Sequence, residues 1–266
     1  MNRNEKVGDM KIKKQRLKLF SPEKDSHKGQ NGKLLIIGGS RGYHGAPMFS
    51  ILAARRFIDL LYFYPGEDDP HLISAAKTIP EAMVVYDLAR LREVDCVLFG
   101  IGLGDAKFDT GALSGAKRLV IDGDGLKDIK EDNWIPPGSI LTPHEGEFRM
   151  FFGMEGIPSN VKEMAKKNEC VILKKGPVDI ISDGKRVETN TIHNQGMTHG
   201  GTGDVLAGLV AALYCKNDAF TAAFAGARIN GIAGNMAMKR YGFNFCASDV
   251  ADNLSEAYRI FEKERK

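Results

Sequence analysis

The sequence predicts an α/β fold, a three-layer α/β/α sandwich with a mostly parallel central sheet. Strand-length apolar runs alternate with helix-forming segments almost throughout its 266 residues. Two of these runs, Lys33-LLIIG-Gly38 and VDCVLFG at 94–100, break directly into glycine turns. Glycines at the carboxyl ends of parallel strands are where open α/β sheets hold ligands. No repeat or low-complexity linker interrupts the alternation, so residues 26–266 read as one domain behind a basic arm of residues 1–25.

Composition narrows the function class. Hydrophobic content of 43% with 27% charged residues is that of a soluble globular enzyme, and the length suffices for a full core. The net charge of +3 comes largely from the first twenty residues, with seven Lys or Arg against two acids. That arm is a nucleic-acid tether or a solvated tail. It lacks the interleaved aromatics of a tether, so no nucleic-acid partner is expected. It also lacks the apolar core of a secretory signal, and no apolar run approaches a membrane span. A cytoplasmic location follows, with no membrane partner. Cys96, Cys170, Cys215 and Cys246 form no CxxC pair and read as free, mostly buried thiols of a reducing compartment. The six histidines show no dense ligand spacing, so a structural zinc site is not expected.

In chain order, Lys33–Gly38 is a buried strand. GGSRGYHGAP follows, with Gly38, Gly39, Gly42 and Gly45 spaced as GGxxGxxG and not as the dinucleotide-binding GxGxxG. This turn is either simple strand-to-helix packing or the wall of a ligand cleft. A helix is expected from about Pro47, carrying MFSILAARRFIDLLYF. MVVYDL and VDCVLFG read as strands, the second ending in GIGLGD with Gly100, Gly102 and Gly104. A helix near Gly111–Lys117, the strand RLVID and the acidic turn Asp122-Gly-Asp124-Gly come next. SILTPHEGEF reads as a strand ending in Thr142-Pro-His144-Glu-Gly-Glu147, which puts His144 at the glycine-turn edge in a structural or a catalytic role. SNVKEMAKKNE is a helix capped at Ser159 or Asn160. CVILKKG is a strand, and VDIISDGKRVETN is a hairpin turning at Asp183-Gly184. Lys174 and Lys175 either hold phosphate or are solvated.

The densest chemistry lies in Asn194-Gln-Gly-Met-Thr-His-Gly-Gly-Thr-Gly-Asp204, running into VLAGLVAALYC. Gly196, Gly200, Gly201 and Gly203 fall within eight residues. A glycine turn that opens an apolar helix aims unpaired N–H groups and the positive dipole end at a ligand, most often phosphate. The Walker GxxxxGK[ST] loop is absent. Asp204 would repel phosphate unless it has a task. It either caps the helix, worth about 0.5–2 kcal/mol, or takes a proton from a hydroxyl that attacks phosphorus. Two further helices complete the chain, including AFTAAFAGARINGIAGNMAM, and their apolar faces suggest a homo-oligomer.

With these residues placed, the chain from about Ser26 onward resembles the ADP/ATP-dependent NAD(P)H-hydrate dehydratases, members of the ribokinase-like superfamily that repair hydrated nicotinamide cofactors. The resemblance rests on HKG at 27–29 before GK-strand-GGS-x(5)-A, GxGLG at 100–104, DxDGL at 122–126, LTPHxGE at 141–147 and NxGM-xx-GGTGDVLAG at 194–208. It implies a ribokinase-like sandwich in which Asp204 is the base that removes a proton from the hydroxyl of the hydrated ring. It implies an anion hole from the amides of Gly200 to Gly203, with Gly201 and Gly203 acting in catalysis. Lys175, Gly176, Pro177, Val178 and Asp179 resemble the family's nucleotide segment, joined by Gly200, Thr202 and Gly203. Ala46, Gly102, Gly104, His144 and Asp204 match positions that line the hydrated-cofactor pocket. The implied co-reactants are ADP or ATP as phosphoryl donor with Mg2+, and a separate epimerase would supply the correct epimer of hydrated NADH or NADPH.

Two residues depart from the family pattern. His199 stands beside the anion hole where Thr or a small apolar residue is usual, and Ile101 replaces the Pro of GPGLG. A ribokinase-like kinase of a small alcohol such as hydroxyethylthiazole shares the GTGD turn, but LTPHEGE and the HKG–GGS start favour the dehydratase. A non-catalytic nucleotide-binding regulator would have no use for Asp204.

Overall fold

The computed structural model describes residues 18–132 and 134–264. The chain runs β1 (Lys33–Gly38), α1 (Gly45–Ala54), β2 (Leu60–Pro65), α2 (Pro70–Lys77), β3 (Ala82–Val84), β4 (Cys96–Ile101) and β5 (Leu119–Ile121). It continues through α3 (Gly125–Glu131), β6 (Ile140–Leu141), α4 (Glu145–Phe152), α5 (Pro158–Lys167), β7 (Val171–Lys174), β8 (Asp179–Ser182) and β9 (Val187–Asn190). Three helices close it: α6 (Thr202–Tyr214), α7 (Ala219–Tyr241) and α8 (Ala247–Lys263).

The strands form one sheet in the order β3-β2-β1-β4-β5-β6-β7-β8-β9. All pairings are parallel except those of β8, which runs against both β7 and β9. Strand order reverses between β1 and β4, which is the point where an open α/β sheet leaves a crevice at its carboxyl edge. Period-two alternation sends Leu34 and Ile36 to one face and Leu35 and Ile37 to the other, and both faces are covered. One layer holds Ile51 of α1, Leu72 of α2, Leu209 of α6, Ala225 of α7 and Leu254 of α8. The other holds Ile129 of α3, Phe148 of α4 and Val161 of α5. This is the expected three-layer sandwich.

Local structure departs from expectation in four places. The helix from Pro47 stops at Ala54, and LLYFYP is the buried strand β2. A six-residue apolar run has no period to separate strand from helix, and its aromatic content is the only strand signal. The strand expected through EGEF ends at Leu141. Pro143 has no N–H for the ladder, and Glu145–Phe152 is helix α4 behind a capping box made by His144 and Glu147. Helix α5 begins with Pro158 at its first position, so Ser159 and Asn160 lie inside its first turn and do not cap it. Residues Thr110–Gly115 form a 3-10 turn where a helix near Gly111–Lys117 was expected.

Residues 1–17 of the basic arm lie outside the described residues. Of the remainder, Leu19 is buried and the Phe20 N–H donates to Asn217 Oδ1 at 2.8 Å. Cys96, Cys170 and Cys215 are buried free thiols, and Cys246 is exposed. Among the described residues no helix is long and apolar enough to cross a membrane.

Helices α1 and α6 meet at backbone distance. A Cβ on Gly208 would lie 2.4 Å from the Ser50 carbonyl oxygen. We therefore expect Gly208→Ala to cost about 1–3 kcal/mol in urea unfolding, the usual scale of overpacking. Gly42→Ala, where a Cβ meets nothing within 4 Å, serves as the control. Equal unfolding midpoints for the two variants would contradict this close packing.

Candidate active site

The glycine turn opens α6 as its composition predicts. Gly201 is the N-cap residue at φ +94, and a Cβ there would strike the Phe49 ring at 2.5 Å and Ala247 at 2.9 Å. Only glycine meets both demands. The Thr202 hydroxyl donates to the carbonyls of Met197 (2.7 Å) and His199 (3.0 Å), tying the turn to the helix start. The Thr202 N–H donates to the His199 carbonyl at 3.3 Å, and the amides that follow it at the helix start, with the dipole, favour an anion. His199 is turned away, its Nδ1–H donating to the Gly196 carbonyl at 2.6 Å and its ring packed near Phe245.

Asp204 lies in the first turn of α6, three residues past the N-cap Gly201, and so does not occupy the cap position. The capping alternative is therefore set aside. Ser50 Oγ of α1 donates to its backbone carbonyl at 2.8 Å. Its side chain faces three charged groups that converge from different elements. Asp122 directly follows β5, Glu147 belongs to the first turn of α4, and Lys175 follows β7. Lys175 Nζ donates to Asp122 Oδ1 at 2.5 Å and lies 4.0 Å from Glu147 Oε2. The Thr142 hydroxyl donates to Asp122 Oδ1 at 2.8 Å. A Cβ on Gly203 would sit 3.6 Å from Lys175 Nζ, so the ammonium lies directly under the turn.

These neighbours set the protonation of the site. Burial pushes the Asp204 carboxyl up to about 7, and the negative charges of Asp122 and Glu147 add to the rise while Lys175 opposes it. Burial likewise raises Glu147 above the usual carboxylate range, with Lys175 opposing. For Lys175, burial disfavours the charge, but Asp122 and Glu147 outweigh it and hold the ammonium above its ordinary value. The adjacent Lys174 points to the other side of the strand end and lies 3.6 Å from Glu145. The two lysines left open by the sequence are thus resolved as one partner for Glu145 and one charge at the site.

Two sets of sequence-predicted residues flank this cluster. Ala46, Gly102 and Gly104 gather at the crevice beyond β1 and β4. A Cβ on Gly102 would lie 2.8 Å from that of Ala46, Ser40 Oγ donates to the Gly102 carbonyl, and the Gly104 N–H donates to Asp124 Oδ2 at 2.8 Å. Ala46 is one helical turn before Ser50, so α1 links this crevice to Asp204. On the other side is a cleft of about 370 Å³ lined by His144, Lys175, Gly176, Pro177, Asp179, Thr202 and Gly203. Asp179 shapes its floor, accepting from the Gly176 N–H at 3.1 Å and from Asn190 Nδ2 at 3.0 Å. Val178 is 42% exposed and does not line the cleft, and neither does Gly200, where a Cβ would meet nothing within 4 Å. His144 caps α4, accepting at Nδ1 from the Glu147 N–H at 3.1 Å, and its ring also borders the cleft.

Sequence reasoning quoted Asp122 and Glu147 inside motifs without giving them a role; the lone signal was an acidic residue at each of two successive strand ends. It also missed Ile192, His193, Met197, Leu206 and Asn230, which line the same cleft. Asn230 alone had a sequence signal, as a polar residue in a run of small and apolar ones.

A family model described as NAD(P)H-hydrate dehydratase matches residues 34–256. A bifunctional NAD(P)H-hydrate repair enzyme of Archaeoglobus fulgidus is 37% identical over 258 residues, which cover 88% of this chain and 52% of that protein. An ADP-dependent (S)-NAD(P)H-hydrate dehydratase of Cenarchaeum symbiosum is 34% identical, covering 91% of this chain and 94% of that protein. The chain therefore spans about half the length of the first curated relatives it matches. The crystal structure of the Bacillus subtilis ADP/ATP-dependent NAD(P)H-hydrate dehydratase, co-crystallized with ATP and Mg2+, superposes with a TM-score of 0.78. It is 24% identical over 92% of this chain and 95% of that one, and so shares the fold. A protein of Enterococcus faecalis described as ribokinase-like shares the fold as well, with a TM-score of 0.78 at 23% identity over 91% of this chain and 92% of that one.

The raised carboxyl pKa of Asp204 has a testable effect on stability. Its pKa rises from 3.8 to about 7 on folding, so its stabilising contribution is full below the unfolded value and is lost as pH rises through about 7. Asp204→Asn should therefore gain melting temperature over the parent between about pH 5 and pH 8 in nucleotide-free protein. A melting-temperature difference independent of pH would contradict the assignment.

Proposed function

The chain belongs to the NAD(P)H-hydrate dehydratase family, and we propose that it restores hydrated NADH or NADPH to the dihydronicotinamide, using ADP or ATP to phosphorylate the ring hydroxyl. The observation that supports this best is the placement of Asp204. It stands past the cap position, is half-buried, and lies between the β1–β4 crevice and a cleft whose edge carries the helix-start amides, which suit an anion. A carboxyl with a pKa of about 7 exchanges protons readily near neutral pH.

In the first step Asp204 takes the hydroxyl proton of the hydrated ring. The hydroxyl oxygen bonds to the terminal phosphorus of the nucleotide, and the bond from that phosphorus to its bridging oxygen breaks, leaving AMP from ADP or ADP from ATP. The α6 amides of the glycine turn stabilise charge on the transferred group, and Lys175 beneath them adds a positive field. In the second step the carbon–oxygen bond breaks and phosphate leaves with the electron pair. Loss of a proton from the neighbouring carbon completes the ring double bond. Ala46, Gly102 and Gly104, with Tyr43 packed against the two glycines, offer a close wall for the hydrated ring, and Gly176 to Asp179 border the nucleotide.

Among the described residues no group of three or more His, Cys, Asp or Glu is spaced to cage a metal. Magnesium needs no such cage, because it keeps several waters and takes one or two carboxylates plus substrate phosphates. Lys175 and Thr142 already engage Asp122 Oδ1, so Asp122 and Glu147 would hold the ion through their remaining carboxylate oxygens. When bound, the ion supplies charge neutralisation to the phosphates. On this reading the (S)-epimer is the substrate and a separate epimerase supplies it. The protein acts in the cytoplasm, and apolar helix faces join copies into a homo-oligomer.

The test is recovery of the near-ultraviolet dihydronicotinamide absorbance from hydrated NADH with magnesium and either ADP or ATP. The rise should require nucleotide, and comparing the two shows the preferred donor. Asp204→Asn should lose about 10²–10⁴-fold in turnover, the range of a general base, while still binding ADP. Normal turnover by that variant would remove Asp204 from the mechanism. No rise with either donor, together with ATP consumption on hydroxyethylthiazole, would replace the dehydratase with a small-alcohol kinase.

A further inference from the structure

We propose that Asn230 reads the base of the bound nucleotide and selects adenine over guanine, an inference that rests on the reading of the cleft as a nucleotide site. Asn230 lies midway along α7 among Ala227, Ile229, Gly231 and Ile232, and is only 5% exposed. Its Oδ1 is buried and has no hydrogen-bond partner among the described residues. An unpaired buried carbonyl of this kind costs about 1–3 kcal/mol. An aliphatic side chain would fill the same place without that cost, so packing does not account for the amide.

The same residue borders the cleft. Ile192, Met197, Leu206 and Ala227 supply apolar surface beside it, while Lys175 and Gly203 mark the phosphate end. The slot is narrow because α7 abuts the 190–197 segment at backbone distance. A Cβ on Gly231 would lie 2.0 Å from the Ile192 carbonyl oxygen, and one on Gly234 would lie 2.0 Å from the Met197 sulfur. A thin, flat, largely apolar body with a polar edge fits such a slot, and a purine base has that form.

A carboxamide presents one acceptor and two donors on adjoining atoms, and a half-turn about its terminal torsion exchanges them. The adenine edge offers an amino donor beside a ring-nitrogen acceptor, so both can be matched at once. With the N7 edge of the base turned to Asn230, adenine offers its amino donor beside N7, whereas guanine offers a carbonyl beside N7, two acceptors, and one arm of the amide is left facing its own kind. The carbonyl arm, sealed and unpaired in the protein alone, gains its partner when rotation of the amide turns it toward the adenine amino group.

The experiment measures ADP and GDP affinities by calorimetry, without hydrated cofactor, for the parent, Asn230→Leu and Asn230→Ala. The parent should bind ADP about tenfold or more tightly than GDP. Each variant should lose about tenfold in ADP affinity, keep its GDP affinity, and so nearly lose the preference, the scale of one buried hydrogen bond. Asn230→Leu without ligand should melt at or above the parent temperature, since it removes an unpaired polar atom. Asn230→Ala keeps the test open if leucine does not fit. Equal ADP and GDP binding by the parent, or an unchanged preference in a folded variant, overturns the role of Asn230 and leaves the dehydratase reading intact. Absence of any nucleotide binding by the parent overturns both.

Discussion

Lys175 Nζ sits among three carboxylates, those of Asp122, Glu147 and Asp204, at the carboxyl edge of the sheet. Each acid comes from a different part of the chain: just after β5, the start of α4 and the start of α6. Like charges this close and largely shielded from water need a counter-charge, and removing one partner of a buried pair typically costs about 3–5 kcal/mol. The ammonium thus joins four chain segments at one point. Burial, with the negative charges of Asp122 and Glu147 adding to it against Lys175, pushes the Asp204 carboxyl up to about 7.

Backbone proximity makes this convergence geometrically possible. Gly38 leaves room for the Ile101 carbonyl at the β1–β4 switch point, where a Cβ would lie 2.3 Å from that oxygen. Gly208 lets α6 press on α1, and Ser50 on α1 holds the Asp204 carbonyl. The crevice that would receive the hydrated ring and the turn that would receive the phosphoryl group are therefore two ends of one rigid helix contact. Departures such as Ile101 fall inside this framework. Ile101 is buried in the helix layer that holds α1 and α6, and its carbonyl accepts the Gly39 N–H at 2.6 Å.

Much of the fold could be read from the chain because its signals are local. Lys33–Gly38 and Cys96–Ile101 are apolar on both faces and end in glycines, and the 183–184 turn is written in Asp-Gly. The helix after Asp204 is equally plain. β2 was hidden because LLYFYP follows a helix with no turn signal between them. α4 was hidden because its cap is a histidine, not the Ser, Thr, Asp or Asn that marks most helix starts. At the site, glycines and Asp204 were visible through spacing. The cluster of Asp122, Glu147 and Lys175 was not, since those residues are up to 53 positions apart and only strand order brings them together. Asn230 was invisible for a related reason: that its amide lacks a partner is a fact about its surroundings.

The chemistry requires that the ring hydroxyl be the atom phosphorylated and later expelled. The decisive measurement is a single turnover of hydrated NADH carrying a heavy-oxygen isotope in that hydroxyl, with ADP as donor and mass analysis of the released phosphate. The account predicts that the label appears in inorganic phosphate, because the oxygen stays bonded to phosphorus when the carbon–oxygen bond breaks. Label found in water, with unlabelled phosphate, would show that the hydroxyl leaves without being phosphorylated. Asp204 would then have no attacking oxygen to deprotonate.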